Sequence, residues 1–544
     1  MPPHELSDDQ IWQLVSFVRY LGGSQSLAAS PSSARPEVRV PARDIAAVRT
    51  TAADWLTYSG SYSSWRHSGL RQIDPTNVGR LALRWVHPDL ETDVNRNEAT
   101  PLVRDGTMFV SSGPARVLAL DALTGKEIWR YEYKLTSDAM VQDGKAPNRG
   151  VALLDDKVFF GTRDARLIAI SAATGKLVWI KQLSPDPRYY VVTSAPLAFG
   201  NLVVTGVATE GGGRGFIVAY DAATGEERWR FTTIPGPGEP GHETWDGESW
   251  RDGGGGPWLT GSYDVDEDLL IWGVGNPKPD YDHTKRRGDN LYTNSVIALR
   301  GTTGKLVWHH QFSPGDDHDW DSAQIPLLVD NVAGEGKGIL WANRNGFYYV
   351  LDRRTGRPIT GVPFVHENWA SGIDSMGHPT LITDSARKRN GSLVFPGNAG
   401  ATNWWSPSFD PALNLVYIPV LEQGMIFFSS TSSWPQPNGG RAFYTGVRAL
   451  DPVTGALKWE YRNAPRTEIN WTGGLMTSST GVLFGGDLTK FFALDSRTGK
   501  ELWTVDVGVP IEAAPVTFAV GGEQFVSITA GKNLLTFALP RNAK

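Results

Sequence analysis

The sequence contains no cysteine. That excludes disulfides, thiol nucleophiles, zinc–thiolate sites, iron–sulfur clusters and thioether-attached haem within its 544 residues. No run of about 18 apolar residues occurs, so no segment reads as a transmembrane helix. The opening Met1-Pro2-Pro3-His4-Glu5 has neither the basic start nor the apolar core of a signal peptide. Charge of one sign is also scarce. The 52 Lys and Arg stand against 58 Asp and Glu, a formal net charge of −6, which makes a poor nucleic-acid binder. Hydrophobic residues at 40% and charged residues at 20% describe a globular chain rather than a disordered one. What the sequence does hold is 60 glycines and 35 prolines without a collagen period, so the fold is turn-rich. It also holds 21 tryptophans, as many as phenylalanines. Length alone suggests roughly three or four domains, unless one architecture repeats.

One does. Ala119-Leu-Asp-Ala-Leu-Thr-Gly-Lys-Glu-Ile-Trp129 recurs as Ala169-Ile-Ser-Ala-Ala-Thr-Gly-Lys-Leu-Val-Trp179 and as Ala219-Tyr-Asp-Ala-Ala-Thr-Gly-Glu-Glu-Arg-Trp229. Further copies end at Trp308, Trp459 and Trp503, and a weaker one, Val350-Leu-Asp-Arg-Arg-Thr-Gly356, lacks the Trp. Each copy reads as strand, tight turn, strand: the Asp side chain caps turn amides and the Gly supplies a positive φ. Two more strand-like runs lie between copies, such as residues 107–111. Four short strands per period of roughly 40–50 residues predict β-propeller blades. A Trp at a fixed place in each blade can pack on the next blade and give its N–H to a backbone acceptor. Seven motifs are visible. The runs 514–518, 525–529 and 534–539 have no motif after them, and Leu81-Ala-Leu-Arg-Trp85-Val86 has none before it. Together they predict an eighth blade that joins the two ends of the chain and removes edge strands. The fold class is therefore all-β, an eight-bladed propeller with a short N-terminal helix. The long motif steps, from Gly225 to Gly304 and from Gly356 to Gly455, are read as insertions. Seven blades with loose termini is the alternative.

The first 22 residues differ. Ser7 is an N-cap, and Ile11, Leu14, Val15, Val18 and Leu21 form a helical stripe. Residues 23–50 are Ser/Ala/Pro-rich and read as a linker to a propeller spanning 51–544. Segment 1–22 resembles the end of a c-type cytochrome domain, which implies a reading frame that begins further upstream. A plain helical extension is the other reading.

The repeated Ala-x-Asp-x-x-Thr-Gly-x-x-x-Trp resembles the tryptophan-docking motif of the pyrroloquinoline quinone (PQQ) dehydrogenases, over about residues 54–540. Four further elements carry the resemblance. Ala208-Thr-Glu210-Gly-Gly-Gly-Arg-Gly215 is similar to the family's calcium-ligand loop, which implies Glu210 as a metal ligand. Trp272-Gly-Val-Gly-Asn276-Pro-Lys-Pro is similar to the loop that supplies an Asn ligand, here Asn276. Carboxylate and amide oxygens suit a hard cation. Pro314-Gly-Asp-Asp-His-Asp319-Trp-Asp321 matches the segment bearing the catalytic Asp, which implies Asp319 as base and metal neighbour and Asp321 as a further metal ligand. A shift of register would exchange the two. Asn343-Arg344-Asn-Gly346 resembles the loop whose Arg contacts the quinone oxygens. For the remaining cofactor contacts, the resemblance implies Glu98, Arg149 and Thr193 at the PQQ carboxylates. It implies Trp258 as the stacking floor, and Asn403, Trp404 and Trp471 on the far side of the ring. One departure stands out: Asp143-Gly144 occupies the place where many members carry two adjacent cysteines above PQQ.

The resemblance implies an oxidoreductase that takes a hydride from an alcohol or sugar hydroxyl to PQQ. Asp319 would be the base, calcium or a lanthanide the Lewis acid, and a cytochrome c the electron acceptor. It also implies a periplasmic location. The competing class is a non-catalytic propeller that presents loops to a protein partner; its docking motifs are the same, but it has no need of the metal and base residues. Substrate specificity is expected in the insertions at 235–256 and 357–438, including the aromatic-rich residues 425–434.

Overall fold

The computed structural model describes residues 38–47, 53–88, 90, 97–113, 115–136, 147–184, 186, 189–209, 212–332, 334, 336–382, 391–428, 436–437, 442–467 and 471–541. The stripe in residues 1–22, Glu210 and the pair Asp143-Gly144 lie outside the described residues. So does most of the 425–434 patch beyond residue 428.

Eight antiparallel sheets form a ring of blades. Blade 1 is the meander Leu102–Arg104, Thr107–Ser112, Arg116–Asp121 and Glu127–Glu132. Its second strand is buried at every position, whereas its outermost strand alternates exposed with half-buried positions. The chain writes this gradient as an apolar run followed by an alternating one. Blades 2–7 repeat the pattern. Their innermost strands begin at Ala152, Leu197, Ser262, Leu327, Ser408 and Thr472. Blade 8 takes Val516–Val520, Glu523–Ala530 and Asn533–Ala538 from the end of the chain and Ala82–His87 from its beginning. The expected eighth blade and its closure by both ends are therefore found. The two long steps are insertions. One carries the short 3-10 turns His242–Thr244, Ser249–Asp252 and His283–Lys285. The other carries the small pairings of Ala370–Ile373 with Pro379–Leu381 and of Ser392–Val394 with Met425–Phe427.

The docking motif works between neighbouring blades. Asp121 Oδ1 accepts from the N–H groups of Leu123 and Thr124, which ties the turn, and Gly125 adopts φ +71°. The ring of Trp85, from the preceding blade, lies on that glycine. Its Nε1 donates to the Ala122 carbonyl at 3.2 Å. The same bond runs from Trp129 to Ala172, Trp179 to Ala222, Trp229 to Gly301, Trp308 to Arg353 and Trp459 to Ser496, at 3.0–3.2 Å. A Cβ on Gly125, Gly175, Gly225, Gly304, Gly356 or Gly499 would come within 2.4–2.8 Å of the docked indole. The glycine is thus required twice, for its φ and for the approach. All eight blades share a register irregularity between their two outer strands, beside this turn in the seven that carry it and at Leu83/Trp85 in blade 8. The motif without Trp is repaired locally. Thr360 stands at the Trp position and donates to Val453 O at 2.8 Å, while the hydroxyl of Tyr348 takes the carbonyl of Pro452, also at 2.8 Å. Gly304→Ala is expected to cost about 1–3 kcal/mol through overpacking on Trp229, read as a lower urea midpoint. An unchanged midpoint would show that the indole yields freely.

A second device has no repeat. Residues 53–73 thread across the ring and touch seven of the eight blades. Trp55 pairs with Val103 in blade 1, and the Tyr62 hydroxyl donates to Ala198 O in blade 3. Ser64 meets Ser262 in blade 4, Trp65 Nε1 donates to Leu328 O in blade 5, and Phe409 N of blade 6 donates to Trp65 O. Arg66, wholly buried, donates to Leu475 O of blade 7, Pro515 O beside blade 8 and Tyr58 O. Gln72 joins Gln524 of blade 8. Burial pulls the Arg66 guanidinium down to about 10; it remains charged, with three carbonyls around it and the faces of Trp55 and Tyr58 nearby. Residues 38–47, inside the stretch read as a linker, also pack on the ring. Val40 pairs with Asp155, and Ile45 of the helix Ala42–Ala47 is buried.

Candidate active site

The innermost strand of every blade starts at the same rim, and the antiparallel second strand ends there. Nearly all the expected site residues sit at one of these two places. Glu98, Arg149, Thr193, Trp258, Asn403, Trp404 and Trp471 lie just before the innermost strands of blades 1, 2, 3, 4, 6 and 7. Asn276 and Arg344 follow the second strands Leu269–Gly273 and Gly338–Ala342. Glu210 would follow Leu202–Thr209 in the same way but is outside the described residues. Asp319 and Asp321 lie on the loop entering blade 5.

Two polar groups result. In the first, Arg149 Nη2 and Glu98 Oε2 are 2.7 Å apart with both side chains buried. Arg149 Nη1 reaches the carbonyls of Thr193 and Trp258 at 3.5 and 3.4 Å, its guanidinium lies 4.9 Å from the centre of the Trp258 ring, and Thr193 Oγ1 donates to Trp258 O at 2.9 Å. In the second, Arg344 Nη1 pairs with Asp321 Oδ2, and Arg344 Nη2 lies 3.9 Å from Asp319 Oδ2. The backbone N–H of Asn276 donates to Asp321 Oδ1 at 2.8 Å. The groups meet at Gly275: a Cβ there would sit 2.4 Å from Asp321 Oδ1 and 3.3 Å from Trp258 Nε1. Trp404 and Trp471 pack at 4.7 Å between ring centroids in an apolar cluster that includes Tyr58 and Trp258. Asn403 is bound within its own loop, donating to Ala399 O and accepting from Trp404 N.

Local chemistry sets Asp319. The carboxylate of Asp316 accepts from the N–H groups of His318 and Trp320, curling the loop. Asp319 then takes φ 65°, in the left-handed region that Asp and Asn enter more readily than other non-glycine residues. Trp320 Nε1 anchors the turn on Gly397 O at 2.9 Å. Burial pushes the Asp319 carboxyl well above the usual carboxylate range; Arg344 and Lys278 oppose this, and Asp280 and Asp321 add to it.

Sequence reasoning missed three neighbours. The Tyr281 hydroxyl donates to Asp319 Oδ2 at 3.3 Å, and Asn398 Nδ2 donates to that hydroxyl at 3.0 Å. Asp280 accepts from Asn276 Nδ2 and Lys278 Nζ. Asp280 and Tyr281 follow the quoted Asn276-Pro-Lys-Pro directly; an acidic and an aromatic residue closing a ligand loop were the available signal.

The match to the family model for the β-propeller domain of PQQ glucose/ethanol/alcohol dehydrogenases covers residues 55–368 and 462–526. The chain belongs to this family. It is 37% identical to the quinohemoprotein alcohol dehydrogenase ADH IIB of Pseudomonas putida, over 90% of this chain and 75% of that one. The crystal structure of the quinohemoprotein alcohol dehydrogenase from Comamonas testosteroni superposes with a TM-score of 0.85 at 34% identity, covering 93% of this chain and 83% of the other. A europium-containing methanol dehydrogenase gives 0.79 at 29% identity, over 89% and 98%. The chain is thus a PQQ-dependent dehydrogenase and not an empty scaffold; a hard cation beside PQQ is what the likeness to the europium-containing relative suggests. The residues fit both groups. Among the described residues, Arg149 Nε and Arg344 Nε are buried without a hydrogen-bond partner, as donors for an acidic quinone would be. Asn276, Asp319 and Asp321 offer oxygen donors alone, the preference of a hard cation.

Proposed function

We propose that this dehydrogenase oxidises an alcohol hydroxyl, with Asp319 as general base. The observation that carries the reading is Asp319 itself, held at φ 65° beside Arg344, Asp321 and Asn276. Arg149, Thr193 and Glu98 would hold the carboxylates of PQQ, Trp258 would stack on its face, and Trp404, Trp471 and Asn403 would border its far side. Glu210, Asn276, Asp321 and Asp319 would hold the cation. Held there, the two groups would supply a hydride acceptor and a Lewis acid. The substrate hydroxyl gives its proton to an Asp319 carboxylate oxygen as its carbon–hydrogen bond yields the hydride, leaving a carbonyl product. Arg344 favours the ionised form of Asp319 beforehand and stabilises developing oxygen charge afterwards. Tyr281 keeps the carboxylate in one rotamer. Electrons would leave to a cytochrome c, in keeping with relatives named quinohemoproteins, and the periplasm is the compartment such an acceptor suggests. Of the chain, 51–544 would form the propeller, 23–50 the approach to it and 1–22 the cytochrome-like helix.

The test is reconstitution with PQQ and either Ca2+ or La3+, assayed with an artificial electron acceptor over a panel of alcohols and sugars. Alcohol-dependent dye reduction is expected. Its absence with every substrate and both ions would sink the reading.

A further inference from the structure

The loop bearing Asn276 is more elaborate than a ligand loop requires. Asn276 Nδ2 donates to Asp280 Oδ1 at 2.5 Å and to Pro277 O at 3.3 Å. Both acceptors are oxygens with no proton to give, so they fix which way the amide faces: its NH2 group points towards them and its Oδ1 is turned away. Lys278 Nζ pairs with the same Asp280 oxygen at 2.7 Å. The segment behind is clamped by the wholly buried Arg286, which donates to Pro279 O at 3.0 Å and Asp280 O at 3.3 Å, and also to Asn290 Oδ1 and Asp316 O. Arg286 therefore ties the Asn276 loop to the loop that presents Asp319.

Resting on the reading of Asn276 as a cation ligand, we propose that Asp280 is a positioning residue: its carboxylate locks the Asn276 amide with the carbonyl oxygen towards the cation, and Lys278 holds Asp280 back from the ion. An Asn amide is nearly isosteric about its own axis. Without Asp280 it can rotate and present N–H groups to the ion, which repel it. Partners of this outer kind commonly change metal affinity by about 10–100-fold.

The experiment uses full-length protein loaded with PQQ, stripped of cation by a chelator and titrated calorimetrically with Ca2+ and, separately, La3+. Asp280→Ala should raise Kd about 10–100-fold for the ion that the wild type binds. Asp280→Asn keeps an accepting oxygen for Asn276 while losing the charge, and should stay close to the wild type. Equal Kd values for Asp280→Ala and the wild type would overturn the proposal. So would an Asp280→Asn variant as weak as Asp280→Ala, since the carboxylate would then act by charge and not by orientation. A wild type that takes up neither ion would instead overturn the ligand role of Asn276 on which the proposal rests. Tryptophan-fluorescence unfolding of each variant verifies that the ring is intact, and Asp280→Leu, which fills nearly the same space but offers Asn276 no acceptor, takes the place of Asp280→Ala if that variant does not fold.

Discussion

Asp319→Asn is expected to lower kcat by about 10²–10⁴-fold, the usual contribution of a general base, while PQQ stays bound. Asparagine has the shape of aspartate and still offers an oxygen to the Tyr281 hydroxyl, so the loop has no reason to move. What disappears is the proton acceptor. Turnover and the PQQ absorption spectrum, measured on the same preparation, separate the two. Asp321→Asn is the necessary companion. Asp321 is bound by Arg344 and by the Asn276 N–H, so its loss should act first on cation affinity. If Asp319→Asn retained turnover and Asp321→Asn did not, the base would be Asp321, the outcome of the two-residue register ambiguity visible in Asp319-Trp320-Asp321.

Arg149→Met is expected to be the most damaging single change to stability. Glu98 and Arg149 retain only 3% and 5% of their side-chain surface. Removing one member leaves a buried charge uncompensated, at a cost of about 3–5 kcal/mol. Denaturant unfolding of the cofactor-free protein should show this as a lower midpoint, and PQQ affinity should fall as well. The double variant Glu98→Gln/Arg149→Met discriminates the cause: it should recover much of the stability but none of the cofactor binding. If the single variant unfolded at the wild-type midpoint, the pair would be a binding device without a structural role.

The ring was legible in the chain because a docking contact is made of local chemistry repeated. Asp, Thr-Gly and Trp occur at fixed offsets, so the packing of each Trp on the next blade could be read without coordinates, though not its seat on the motif glycine. Even the gap at Gly356 was visible, although its repair by Tyr348 and Thr360 was not, since a hydroxyl reaching Pro452 O leaves no pattern in sequence. The candidate site was readable as a set of residues through resemblance. Its internal geometry was not. Whether Arg344 meets Asp319 or Asp321, and whether Asn276 faces Asp280, depends on loops from different blades meeting at one rim. Residues 53–73 were the largest omission. They have no period, and their partners lie in seven separate sheets. The density of aromatics from Trp55 to Trp65 was the trace they left.

The pairing of Ala82–His87 with Asn533–Ala538 also has a history in time. These strands are separated by about 450 residues, among the most non-local contacts a chain this long can make. At translation speeds of about 5–20 residues per second, the early strand waits roughly 20–90 s for the last strand to be made. Through that interval the strand Ala82–His87 has no strand partner and stays an open edge, which is the kind of surface chaperones bind. Assembly of this enzyme is therefore expected to be limited by the arrival of its final strand, and the cofactor rim, built from loops of the other blades, to be complete only after the ring has shut.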